Sequence, residues 1–208
     1  AADTSVFIPF FDKVKTQLKV LPANIIADAG YGSEENYKFI TDQKLGNYVK
    51  YNTFDIEKTH GHKKKTFLSD RFEYDSKEDQ FKCPAGQILD LIGIKETKSD
   101  NGYKSKRKVY KSRCCNNCPF RDSCCRGKNN RTIEINRKLD RYRDRVRQNL
   151  ESEKGIKLRL QRSVDVESVF GQIKHNNQFR RFYSRGLKNV NTEWGIMSIA
   201  HNIKKMAS

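Results

Sequence analysis

An α/β domain interrupted by a basic, cysteine-bearing insertion is the architecture this sequence predicts. A short apolar run from Asn24 to Ala29 stops at a glycine turn, passes into an amphipathic helix and returns at Tyr48 to Tyr51. That is the strand-helix-strand pattern of a parallel sheet. From Asn52 the pattern breaks, and all six cysteines fall between Cys83 and Cys125 before helical spacing resumes at Arg137. Residues 1–51 and 137–208 therefore read as two parts of one domain, and 52–136 as an insertion with its own organisation.

Each element has a local reason. Val6, Phe7, Phe10, Val14 and Leu18 lie near helical spacing, with Asp3 or Thr4 placed to cap the helix and Leu21-Pro22 to end it. The Asn24 strand ends at the carboxylate of Asp28, ahead of Gly30-Tyr31-Gly32, and Ser33-Glu34-Glu35 opens the next helix as a cap followed by acidic residues. In the insertion, Arg71 to Tyr74 reads as a short strand, while His60 and His62 read as loop residues beside a lysine run. Helices are predicted over Arg137 to Leu150, Ile156 to His175 and Val190 to Lys205, the last with Val190, Trp194, Met197 and Ile203 available for packing.

Charge narrows the function. The 208 residues carry a formal net charge of +17, yet residues 1–94 are net −1, residues 95–131 net +9 and residues 132–208 net +9. So localised an excess points to a polyanion, and nucleic acid is the commonest one. No apolar run reaches the length of a membrane span, and the start AADTSVFIPFF lacks the basic and long apolar parts of a signal peptide. A cytoplasmic protein is expected, in which cysteines are thiols or metal ligands rather than disulfides.

Two acids do not read as surface charge. On an ideal helix, at about 100° per residue, Leu160, Val164, Phe170 and Gly171 project close to Glu167, while Asp165 falls on the opposite side. A carboxylate within an apolar stripe is costly unless it is paired, protonated or bound to a cation. Lys174, two turns on, is one candidate and a metal ion the other. Asp28 ends an apolar strand, where open α/β sheets bind ligands, although a turn-forming aspartate is the simpler role. The Gly30-Tyr31-Gly32 turn lacks the third glycine of a dinucleotide fingerprint, which excludes that cofactor site. Paired carboxylates suit Mg²⁺ or Mn²⁺, and two such ions can hold the attacking and leaving oxygens of a phosphodiester.

Cys115-x2-Cys118-x5-Cys124, with Cys83 as a remote fourth thiolate, has the count for a tetrahedral zinc site; Cys114 or Cys125 can stand in for a neighbour, and reduced thiols or an iron-sulfur cluster are the alternatives. Two basic stretches suit DNA. Phe179-Arg180-Arg181-Phe182-Tyr183-Ser184-Arg185 interleaves rings with guanidinium groups, and Lys104 to Lys111 holds five basic residues. The simpler reading makes Phe179 and Phe182 core anchors, with only the arginines facing out.

Three segments together resemble the DDE transposases of bacterial insertion sequences: Ala27-Asp28-Ala29-Gly30-Tyr31-Gly32-Ser33, Val164 to Lys174 around Glu167, and Arg181-Phe182-Tyr183-Ser184-Arg185-Gly186-Leu187 followed by Ala200-His201-Asn202. The resemblance implies an RNase H-like catalytic domain in which two aspartates and a glutamate bind two Mg²⁺ ions, with a long insertion before the glutamate. Asp28 matches the second aspartate, Glu167 the glutamate, and Arg162 and Lys174 the basic residues flanking it, which contact DNA near the cut; Arg180, Arg181 and Arg185 extend that surface. Arg159 stands where similar transposases usually carry a tyrosine. Cysteines at matching places favour Cys83, Cys115, Cys118 and Cys124 as the zinc set. The family's first aspartate is expected on a strand upstream of this chain, with Asp3 reading better as a cap. The chain is thus expected to be the C-terminal part of an enzyme that cuts element ends and joins 3′-OH ends to target DNA, acting at the bacterial nucleoid with its missing half or as a homodimer. The alternative is a zinc-stapled DNA-binding module without catalysis.

Overall fold

The computed structural model describes residues 3–125, 127–176 and 178–207. It divides into two compact units, Ala1–Gly155 and Ile156–Ser208.

In the first unit, helix α1 (Asp3–Leu18) buries Phe7 and Phe11, four residues apart on one face, with ring centroids at 4.8 Å. Pro9 has no N–H to offer the Ser5 carbonyl, and the Asn101 side chain donates to that oxygen at 3.2 Å instead. Strand β1 (Asn24–Ala27) leads through a 3₁₀ turn to α2 (Glu34–Asp42), where the Ser33 hydroxyl caps the helix by accepting from the Asn36 N–H. Strand β2 (Gly46–Val49) returns parallel to β1, with Asn24 opposite Gly46 and Ala27 opposite Val49. The expected strand-helix-strand unit is present, its second strand starting two residues earlier than the apolar run suggested. A two-stranded sheet leaves each strand one unpaired edge.

After the single helical turn α3 (His60–Lys63), the chain forms a five-stranded antiparallel sheet of β3 (Glu73–Asp75), β4 (Gln80–Lys82), β5 (Ile88–Lys98), β6 (Lys104–Ser112) and β7 (Thr132–Ile135), ordered as in sequence. Phe72, Phe81, Leu89, Tyr110 and Ile133 make its core. A bulge between Leu91 and Gly93 shifts the β5–β6 register, and the short turn α4 (Arg121–Cys124) sits in the cysteine loop. Helix α5 (Arg137–Glu151), capped by Asn136, packs against α2 and β2, and its buried Val146 and Leu150 join a core with Tyr37, Ile40 and Val49.

The β5–β6 hairpin docks on the first two helices. Ser99 Oγ donates to Glu35 at 2.8 Å, while Tyr103 Oη (2.7 Å), Asn136 Nδ2 (2.6 Å) and Ser105 Oγ all donate to Glu34. Glu34 is buried. Burial alone would raise its pKa, but the bonds from Ser105, Asn136 and Tyr103 and the Lys138 charge outweigh it and hold the carboxyl below its ordinary value.

In the second unit the helix expected over Ile156 to His175 is rewound twice. Helix α6 (Glu153–Arg162), which starts in the first unit, passes into a π-helical turn at Ser163–Glu167; α7 (Ser168–Gly171) and a second π turn at Gln172–Asn176 follow. Helix α8 (Leu187–Met206) closes the unit, longer at each end than the sequence suggested. Ile173 and His201 are buried here. No helix among the described residues is long and apolar enough to cross a membrane.

Candidate metal and nucleic-acid site

Asp28 directly follows β1 and is exposed; its carbonyl accepts from the Tyr31 N–H at 3.1 Å, closing the 3₁₀ turn at the strand's carboxyl end. The turn requires glycine at position 32, where a Cβ would collide with the Lys50 carbonyl and approach Tyr37 Oη to 2.7 Å. A third group lies at the same turn. The Asp3 carboxylate sits over Gly30, so that a Cβ there would come within 2.8 Å of Asp3 Oδ2. Asp3, assigned from sequence to a cap, thus has its carboxylate two residues from Asp28 along the turn, a proximity no spacing rule foretells.

Glu167 is placed differently from the helical-wheel expectation. Its side chain is 62% exposed, and Arg162 Nη1 donates to Oε1 at 3.2 Å while Ser163 Oγ donates to Oε2 at 3.1 Å. The wheel assumed a regular α-helix, and the π turn at Ser163–Glu167 adds a residue to the local repeat, carrying Glu167 off the predicted stripe. Its supposed apolar neighbours are also open to solvent, with Leu160 66% and Val164 67% exposed. Lys174 is not its partner: the Lys174 ammonium lies 5.8 Å from the Phe170 ring centroid. Arg162, Lys174 and Glu167 thus occupy one unit, as do the exposed Arg180, Arg181 and Arg185, while Asp28 lies in the other. Exposed carboxylates suit a hard cation, which retains part of its water shell.

The cysteine region is more closely built. Cys83, Cys115, Cys118 and Cys124 line one cavity of about 20 Å³, together with Cys125, Arg121 and Arg131. Cys114 is exposed and does not line that cavity. Backbone N–H groups point at sulfur, Gln87 N at 3.3 Å from Cys83 Sγ and Arg131 N at 3.3 Å from Cys115 Sγ. Burial pushes the Cys124 thiol up; Arg131 opposes this, and Cys83, Cys125 and Cys115 add to it. Arg121 holds the loop by donating to the carbonyls of Cys115, Gly127 and Lys128 at 3.0, 2.9 and 2.8 Å. Among the described residues, no three His, Cys, Asp or Glu side chains stand in an arrangement that could hold a metal ion. The donor chemistry suits zinc; the spacing of the sulfurs does not. Arg121 and Arg131 carried no sequence signal, since a basic segment offers many arginines and only the folded loop selects these two.

The aromatics of the last segment gather on Trp194. Phe170, Phe179 and Phe182 each place a ring centroid 6.2 Å from its ring, and Phe179 and Phe182 stand 5.0 Å apart.

Comparison with known proteins adds one match. No curated protein and no solved structure matches the chain. The family model described as a transposase DDE domain matches residues 82–207, a span that runs from the end of β4 through the cysteine loop, the Glu167 segment and all of α8. With well over half of its length matched, including the glutamate and every arginine assigned above, the chain belongs to the transposase DDE domain family.

Proposed function

We propose that the chain acts in DNA transposition through metal-assisted phosphodiester chemistry, with Asp28 and Glu167 as metal ligands in an RNase H-like catalytic domain. The observation that carries this reading is an exposed Glu167, joined to Arg162 within a strongly basic unit, inside the span matched by the family model. Mg²⁺ or Mn²⁺, when bound, supplies an activated nucleophile and stabilises the leaving oxygen. Glu167 would hold such an ion, Arg162 stands beside it as a cation for a nearby phosphate, and Lys174, Arg180, Arg181 and Arg185 fix the DNA backbone.

The cysteine loop is proposed to close on Zn²⁺ through Cys83, Cys115, Cys118 and Cys124. Arg121 and Arg131 offset the surplus negative charge of four thiolates on one Zn²⁺. Binding draws the sulfurs inward from their present spacing.

The test of the DNA reading is a salt titration with duplex DNA. If six to ten phosphates are contacted, affinity falls by roughly 10³ to 10⁵ between about 50 and 200 mM salt. Binding that does not respond to salt sinks the assignment of the basic face to DNA.

A further inference from the structure

The second unit contains a cavity of about 420 Å³ that the chemistry above does not use. Phe170, Phe179, Phe182 and Trp194 form its aromatic walls, Ile173 and Val190 add aliphatic surface, and Lys174 and Asn191 supply the polar lining. Protein cores are close-packed, so an aromatic cluster formed only for stability would close on itself. This one stays open, with Phe170 44% and Phe182 41% exposed. Phe170 and Trp194 lie within 20° of parallel, whereas Phe179 and Phe182 stand at 57° and 65° to the indole. The result is a pocket of ring faces and edges, within the size range of roughly 300 to 1,000 Å³ typical of small-molecule sites.

The surroundings select the occupant. Lys174 contributes a cation beside the Phe170 ring, and Arg180 and Arg181 adjoin the wall residues Phe179 and Phe182 in sequence. A purely apolar guest would not need that charge. A nucleotide matches both parts: its base stacks on ring faces, its phosphates meet the cations, and the Asn191 amide can pair with a base edge. A base within an intact duplex cannot enter such a pocket, so the guest must be unpaired or drawn out of the stack, which is easiest at a frayed or mismatched end.

We propose that the Trp194 pocket receives one unpaired nucleobase of a DNA end and so sets the position of that end in the unit that carries Glu167. The inference rests on the DNA-binding reading above and adds a site and a preference to it.

Trp194 is the chain's one tryptophan, so its emission reports on the pocket alone. The experiment titrates the 208-residue chain with three DNAs: a blunt duplex of two complementary strands, the same duplex with an unpaired 3′ overhang, and an oligothymidylate. Anisotropy of a dye on a 5′ end reads binding, and unlabelled DNA reads Trp194 quenching. The expected result is binding of all three, with marked quenching only by the two DNAs that offer an unpaired base. Phe182→Ala, which removes a wall, and Asn191→Leu, which fills the cavity from an exposed position, should each weaken overhang binding about tenfold and blunt binding less than twofold. Circular dichroism establishes that each variant folds. Saturating overhang DNA that leaves Trp194 emission unchanged overturns the pocket while the DNA reading stands. So does unchanged overhang affinity in both folded variants. A flat anisotropy with every DNA overturns the DNA reading itself, and the pocket with it.

Discussion

Arg162 Nη1 and Glu167 Oε1 stand 3.2 Å apart on the surface of the second unit, so the proposed metal ligand already has a cationic partner. An exposed pair of this kind contributes about 0 to 1 kcal/mol. A metal ion competes with it directly. Arg162→Gln should therefore tighten Mn²⁺ binding by up to about fivefold, the equivalent of about 1 kcal/mol, while leaving urea stability nearly unchanged. Glu167→Gln should weaken Mn²⁺ binding at equal stability. Calorimetric Mn²⁺ titration checks both, and an Arg162→Gln protein that binds Mn²⁺ less tightly than the parent would refute the competition.

Glu34 ties α2 to the β5–β6 hairpin and to the cap of α5, because Tyr103, Ser105 and Asn136 all donate to its buried carboxylate. Glu34→Ala leaves three donors without their acceptor. A loss of about 3 kcal/mol is expected, concentrated in the contact between hairpin and helix. Urea unfolding gives the magnitude, and hydrogen exchange at Ser99 to Ser105 locates it; a variant as stable as the parent would show that water replaces the carboxylate.

Local signals in the sequence proved sufficient where one segment decides its own structure. Ser33 caps α2 and β1 pairs with β2 as the spacing predicted, since a cap and a short apolar run act within a few residues. Long-range docking was not legible. The Asn101 side chain donates to the Ser5 carbonyl, 96 residues away in sequence, and nothing near either position announces the other. The Glu167 stripe misled for a different reason: a wheel drawn at constant pitch has no place for two π turns, and Leu160 and Val164 of the stripe are themselves open to solvent. The cysteines lie between these cases, because spacing suggested the set while the fold added Cys125, Arg121 and Arg131 to the same cavity.

Asp79, in the turn between β3 and β4, accepts from Lys108 Nζ at 2.6 Å, Tyr110 Oη at 2.7 Å and Tyr74 Oη at 2.8 Å. Lys108 first, then the two tyrosines, bring its pKa from 3.8 to about 2. A carboxyl depressed in the folded state stabilises fully above its unfolded value and loses that contribution as pH falls through the folded value. The sheet should accordingly loosen between pH 4 and 2, and Asp79→Asn should flatten that part of the profile. Thermal melts across this range are the measurement, and an acid limb identical in both proteins counts against the assignment.

Zinc makes a separate claim on the cysteine loop. Protein purified under reducing conditions, without chelator, should carry close to one Zn²⁺, and Cys118→Ser should remove it. Because binding draws the loop together, loss of metal should raise hydrogen exchange from Cys114 to Arg131 and leave α5 protected. Fresh protein without zinc, with no uptake on addition, would leave the cysteines as reduced thiols.

The last prediction concerns the acid count. Two Mg²⁺ ions carry four positive charges, and Asp28 with Glu167 supplies two negative ones before phosphate arrives. A weakly held ion is a misplaced one, and an error of about 1 Å already costs roughly a hundredfold in rate. The 208-residue chain should therefore bind DNA yet fail to nick it with Mg²⁺ or Mn²⁺. Asp3 makes the experiment sharper, because its carboxylate lies over Gly30 in the turn that follows Asp28. The assay compares the parent with Asp3→Ala, Asp28→Ala and Glu167→Ala on element-end DNA. Nicking lost in all three variants would establish Asp3 as the third acid and overturn the expectation of inactivity. Nicking lost only with Asp28→Ala and Glu167→Ala would mean that another carboxylate completes the site. Nicking that survives every substitution would come from a contaminant or from a different centre, and neither outcome would support Asp28 and Glu167 as the ligands.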